Sequence, residues 1–287
     1  MYPYIYLPHT TVAVQSYIVC LILAVAAALL LGYGSAVEVE RLDPGATRKS
    51  LAVIAMGALL GGHVHFVVAN IAAVRAAPFN VVVSPSLHAP GAVIGALFGL
   101  IATRRYVSPL RLADALAPGA GIGIAIARLG CFLNGCCFGD LCPHFWGLRF
   151  PLQHVSYLLQ VDKGLLPTEA TAPLPIHPLQ LYFAGTGLLI AAVLYWLRPH
   201  KRYDGQLGLL FLVQFFATSA MWEPFRADTA DRVYIGPFPQ LLWITAAMTA
   251  VAATLLALAE LRSLNQGMRT RHDRTPATHR EWQRRAP

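Results

Sequence analysis

Seven apolar runs, near residues 16–34, 51–74, 91–103, 115–133, 179–197, 206–222 and 238–261, constrain this chain more than any motif. Most are long enough to cross a hydrocarbon layer of about 30 Å at about 1.5 Å per helical residue. No water reaches the backbone there, so each run must satisfy its own peptide groups as a helix. Hydrophobic residues make up 56% of the chain and charged residues 13%, too little polarity for a soluble domain of this length. The expectation is an all-α polytopic membrane protein of about seven transmembrane helices. The third run is short at its clean core, so it must start within 85–90 or be partly re-entrant. The first lacks a basic leader and a nearby small-residue cleavage site, which favours a retained helix over a cleaved signal.

Charge sets the orientation. The loops after runs one, three and five carry Arg41, Arg48 and Lys49; Arg104, Arg105 and Arg111; and Arg198, Lys201 and Arg202. With seven arginines in the last 26 residues, this side holds 16 Lys/Arg, against Arg75, Arg149, Lys163, Arg226 and Arg232 opposite. The positive-inside rule then puts the N-terminus outside and the C-terminus in the cytoplasm. Residues 1–264 form an integral membrane domain, with an extracytoplasmic cap at about 138–178. Residues 265–287 read as a basic, disordered tail. The net charge of +8 is therefore a topology signal with a secondary attraction for anionic membrane lipids, and no nucleic-acid partner is expected.

Polar residues inside the apolar runs carry the chemistry. Arg128 and Asn134 stand where the fourth run leaves the membrane. A charge near a helix centre costs roughly 2.5–3.5 kcal/mol on insertion scales, so it faces a partner or a polar cavity. For an arginine the partner is an anion, here a phospholipid headgroup, or else an internal carboxylate, Glu223 or Asp114. His177, Gln180 and Tyr182 open the fifth run, and Glu223, Arg226 and Asp228 close the sixth, on the same side. A transporter would place such groups nearer the midplane. His63 and His65, two apart on one helix, do not share a face; one could reach the cavity, and bundle packing is the first reading.

These residues carry a resemblance. Arg128-Leu129-Gly130-Cys131-Phe132-Leu133-Asn134-Gly135-Cys136-Cys137-Phe138-Gly139 is similar to the Gly-Arg-x-x-Asn-Phe-x-Asn-x-Glu-x-x-Gly signature of the prolipoprotein diacylglyceryl transferases, bacterial inner-membrane enzymes. His177-Pro178-Leu179-Gln180-Leu181-Tyr182-Phe183 resembles that family's His-Pro-Ser-Gln-Leu-Tyr-Glu element. Glu223-Pro224-Phe225-Arg226-Ala227-Asp228 resembles its Glu-x-x-Arg-x-Asp element, with Gln240 beyond. Asp114-Ala115-Leu116-Ala117-Pro118 and the glycine-spaced Gly91–Gly95 also look like the family. The departures fall at polar positions: Cys131 stands for an asparagine, Cys136 and Phe183 for glutamates, Ser219 for an arginine, and His88 lies two positions early.

The resemblance implies transfer of a diacylglyceryl group from phosphatidylglycerol to the cysteine thiol of a prolipoprotein signal peptide, with release of glycerol phosphate and no cofactor. A guanidinium suits the phosphodiester because it stays charged and offers a planar fork. Arg128 is the first candidate and Arg226 the second. His177 could deprotonate the thiol, since imidazole titrates near neutrality; its alternative is a packing role before Pro178. Glu223 fits an arginine-orienting role within this catalytic set better than that of an acid. Asn134, Gly139, Gln180, Tyr182 and His88 would line the substrate site. Two other readings stay open: a divergent relative on the same fold that binds lipid or transfers another group, and a transporter or thiol-redox membrane protein.

Cys131, Cys136, Cys137 and Cys142 form a C-x4-C-C-x4-C array on the oxidising side. One disulfide to Cys131 or Cys142 is the first expectation, with small apolar packing second. A metal is not expected, because no C-x-x-C pair is present and only His144 could complete a set. Cys131 and Cys136 are read as structural replacements, not nucleophiles.

Overall fold

A computed structural model of the protein describes residues 4–6, 13–76, 79, 89–152, 154–227 and 234–273. The helices are α1 (Ser16–Glu38), α2 (Pro44–Ala69), α3 (Ile71–Ala76), α4 (Ala89–Ala102), α5 (Pro109–Asn134), α6 (Val155–Asp162), α7 (Leu179–Leu197), α8 (Gln206–Trp222) and α9 (Gln240–Asp273). Short antiparallel hairpins, Tyr4–Tyr6 with Ala13–Gln15 and Tyr234–Ile235 with Phe238–Pro239, lead into α1 and α9.

Among the described residues six helices, α1, α2, α5, α7, α8 and α9, are long and apolar enough to span a membrane. The third expected run forms α4, whose 14 residues reach only about 21 Å at 1.5 Å each. The second run breaks at Asn70, whose side chain bonds back to Phe66 O at 2.8 Å, so its tail becomes the separate α3. The last helix runs through Asp273, so the start of the expected tail is helical. The outer faces are strongly apolar: Leu30, Phe98 and Trp196 are 71%, 69% and 70% exposed, a surface that lipid covers and water would not tolerate.

Helix starts follow local chemistry. Asp43 accepts from Ala46 N at 2.6 Å ahead of Pro44, and Ser108 accepts from Arg111 N ahead of Pro109. These are side-chain N-caps with proline in the first turn. Helix α5 is the axis of the bundle, packed between α1 and α7. A Cβ on Gly121 would come within 2.8 Å of Gly187 O, and one on Gly187 within 2.8 Å of Gly121 O. Lipid tails supply no hydrophobic drive between helices, so close backbone approach through small residues holds this crossing. The α2–α4 pair meets in the same way through Gly57, Gly61, Gly91, Gly95 and Gly99.

At one end of α5, Asp114 is buried and accepts from Gly205 N (2.7 Å) and Gly208 N (3.0 Å), capping α8 from a neighbouring helix. Lys201 joins it at 3.2 Å and Glu40 at 2.6 Å. Burial opposes the Lys201 charge, but these two carboxylates outweigh it and raise its pKa. Asp114 lies 14 residues, about 21 Å, from Arg128, which removes it as that arginine's partner.

At the opposite end, residues 138–178 fold over the bundle. Phe138, Phe150 and Ile176 form a small core with Phe132, Leu141 and Leu159 against it. Helix α6 is fixed by Gln160, whose amide exchanges two hydrogen bonds with the Leu174 backbone (2.9 and 3.1 Å).

Candidate active site

The site grows from the way α5 ends. Gly135 adopts a left-handed conformation (φ 79°) and its N–H, with that of Cys136, returns to Cys131 O at 2.8 and 3.1 Å. Glycine meets that φ without strain. The chain therefore doubles back over the last turn of α5, placing Cys136 and Cys137 beside Cys131. Gln180, fully buried in the first turn of α7, donates from Nε2 to Cys136 O at 2.7 Å. Its Oε1 has no hydrogen-bond partner, and neither has the buried Trp222 Nε1 nearby on α8. An orphan acceptor and an orphan donor at one end of a bundle are places for a water or a substrate's polar groups.

Three distant segments are laced together next to this turn. Gly139 N bonds His177 O (2.9 Å), His177 N bonds Asp140 O (2.9 Å), and Asp140 N bonds Phe225 O (2.7 Å). Gly139 also bridges to Arg226. A Cβ on Gly139 would stand 2.8 Å from both His177 O and Phe225 O, so only glycine allows the three strands of chain to meet. His177 Nδ1 pairs with Tyr182 Oη at 3.1 Å, and its ring packs on Phe225 at 5.1 Å. Burial, with repulsion from His144, lowers the His177 pKa, and Asp140 opposes them. The neutral imidazole is thus the favoured form.

Arg128 stands over the Phe183 ring, 4.4 Å from its centroid. Asp114 pairs instead with Lys201 at the far end of α5, which corrects the Asp114 salt bridge weighed from sequence. Glu223 is buried in the one-turn helix Glu223–Phe225 that ends α8, directly before Arg226. The first turn of α7 ties the parts together: Gln180 reaches the cysteine turn, Phe183 carries Arg128, and Tyr182 holds His177. Asn134 closes α5 beside that turn. His88, Asp228 and Arg232 lie outside the described residues. His65 sits in the α2–α4 groove against Gly91, and His63 packs on Phe66.

All five cysteines are free thiols, so the expected disulfide is not formed. Pairing of Leu141 and Leu148 with Ile176 carries Cys142 into the cap, where its N–H bonds Pro175 O. Cys131, Cys136 and Cys137 instead place their sulfurs within 4.8 Å of one another.

A sequence model described as "Prolipoprotein diacylglyceryl transferase" matches residues 5–258. The chain belongs to that family. Similar proteins named phosphatidylglycerol–prolipoprotein diacylglyceryl transferase include that of Buchnera aphidicola, 29% identical over 143 residues (47% of this chain, 52% of that one). That of Bordetella avium is 28% identical over 180 residues (61% and 62%), and that of Neisseria gonorrhoeae 33% over 119 (39% and 42%). The chain spans about half the length of the curated relatives it matches.

Within the family frame, two residues missed from sequence stand at the site. Tyr17 opens α1, and its backbone carbonyl faces Gly130 in the last turns of α5, where a Cβ would stand 3.5 Å from it. His154 caps α6, accepts from Ser156 N at 3.1 Å, and presses its ring against Gly135. Tyr17 was accessible to reasoning, because the first helix begins on the side of the membrane where the fourth run ends. His154 was not, because only the fold of the cap brings it there.

Proposed function

We propose that the protein transfers a diacylglyceryl group from phosphatidylglycerol to the lipobox cysteine of prolipoproteins. The observation that carries this reading is the convergence of Arg128, His177 and Tyr182 at one end of a bundle whose sequence belongs to that family. His177, neutral and held by Tyr182, takes the thiol proton. The thiolate sulfur attacks the glyceryl carbon, and the carbon–oxygen bond to phosphate breaks. Glycerol phosphate leaves with the electron pair, and a thioether remains. Arg128 holds the phosphate and offsets its growing charge, with Arg226 second. One preorganised hydrogen-bond donor in a dry site is worth roughly 2.7–4 kcal/mol. Glu223 orients the arginine side of the site.

The protein would work in the bacterial inner membrane, N-terminus outside and cap in the periplasmic space. A cysteine reporter at position 165 should then react with an impermeant reagent from outside, and one at 275 should not; the reverse pattern would invert the orientation.

Phe183 under Arg128 favours one second reading, a divergent member that binds lipid or transfers another group. Incorporation of labelled fatty acid into a lipobox peptide by the purified protein, and rescue of a strain depleted of its own transferase, support transfer. Lipid binding with neither result would favour the second reading.

A further inference from the structure

Three thiols meet at the end of α5, and the site just described does not use them. In a tetrahedral zinc–thiolate site with bonds of about 2.3 Å the sulfurs stand about 3.8 Å apart. Cys131, Cys136 and Cys137 already lie within 4.8 Å of one another, a gap that small side-chain rotations close. The spacing matches no C-x-x-C pair, yet convergence does not need one here. Two left-handed residues, Gly135 (φ 79°) and Cys137 (φ 60°), fold the chain back onto Cys131. A non-glycine residue in that region persists only where its surroundings hold it. Without such a turn, adjacent thiols on an extended strand point to opposite faces.

The set fits a soft cation better than a disulfide. A disulfide uses two sulfurs and leaves the third exposed to oxidation, whereas a metal protects all three. Among the described residues no histidine or carboxylate joins the cluster, so a tetrahedral ion keeps one open position, the pattern of sites that bind a water or a substrate. Three thiolates around a divalent ion carry one net negative charge. Arg128, three residues before Cys131 on the same helix and so on its face, supplies the opposite sign.

We infer that Cys131, Cys136 and Cys137 bind a zinc-like divalent ion whose fourth position receives the substrate thiol. This rests on the proposed thiol substrate. A thiol that ligates such an ion gives up its proton, here to His177 or solvent. Its sulfur then attacks the glyceryl carbon as before, the carbon–oxygen bond breaks, and the neutral thioether, a weak ligand, departs.

The test is Co2+ titration of the reduced, full-length protein in detergent. A thiolate-to-cobalt charge-transfer band should saturate at one ion per chain. It should be lost in Cys131→Ser, Cys136→Ser and Cys137→Ser, and persist in Cys20→Ser and Cys142→Ser. A lipobox peptide should shift the band, and its Cys→Ser analogue should not. Absence of the band, its survival in the three variants, or a native Cys131–Cys136 or Cys136–Cys137 disulfide found by mass spectrometry overturns the site. Full lipidation by metal-free protein overturns the thiol position while leaving the transferase reading intact. A peptide-dependent shift without lipidation supports the site and counts against transfer.

Discussion

The guanidinium of Arg128 rests on the ring of Phe183, 4.4 Å from its centroid. Where the family resemblance implies a glutamate, this chain offers a π-face. The aromatic ring holds the cation without neutralising it, so the charge stays available to a phosphate. If the arginine grips that phosphate with its fork, Arg128→Lys should lose lipidation nearly as fully as Arg128→Ala, about 100-fold or more. Phe183→Leu removes a contact worth about 1 kcal/mol, a roughly fivefold effect. Both are read as initial rates with labelled phosphatidylglycerol. Unaltered rates in a stably inserted Arg128→Ala protein would withdraw the assignment.

His177 gives a pH prediction. Its folded pKa is lowered, chiefly by burial and then by His144, against Asp140. A base with a lowered pKa stays neutral below the ordinary imidazole value of about 6.5. The acid limb of kcat/KM should therefore lie below that value. Its linked stability contribution is present above about pH 6.5 and is lost as pH falls through the folded pKa. Asp140→Asn should move the limb further down, and His144→Ala should move it up. A limb that ignores both substitutions would exclude His177 as the titrating base.

Apolar run length and Lys/Arg bias made the helical membrane class legible, because both act through local composition. Arg128 was legible as a candidate position for the same reason: an isolated charge in an apolar run has few explanations. Its neighbour was not, since the pairing with Phe183 depends on how α5 and α7 cross. The meeting of Cys131, Cys136 and Cys137 was hidden for another reason. Spacing rules assume ordinary backbone, and two left-handed residues break that assumption. Asp114 stood in a recognisable motif, but its role as a cap on α8 depends on an inter-helix contact.

That contact separates stability from chemistry. Asp114→Ala would leave the Gly205 and Gly208 N–H groups without their acceptor and Lys201 without one of its carboxylates. Breaking a buried ion pair costs about 3–5 kcal/mol. The unfolding midpoint in detergent should fall sharply, while the rate per folded molecule stays near that of the unsubstituted protein. A normal midpoint with a reduced rate would mean that this end of α5 takes part in the reaction.

Gln180 offers the sharpest test of the cysteine turn. Its Nε2 donates to Cys136 O at 2.7 Å in a fully buried position. Gln180→Met keeps the volume and loses the bond, leaving a carbonyl unsatisfied at about 1–3 kcal/mol. Gln180→Glu keeps the shape but, when ionised, puts a buried carboxylate against that carbonyl with no N–H to offer. On protonation the same side chain regains an O–H donor. The glutamate variant should therefore unfold earlier than the methionine variant at about pH 8, and the gap should narrow or reverse toward about pH 5. The order follows from the buried charge and its protonation, and needs no substrate. Midpoints equal to that of the unsubstituted protein for both variants at both pH values would mean that the Gln180 amide does not hold the turn, and that the cysteine cluster is positioned by the backbone of Gly135 and Cys137 alone.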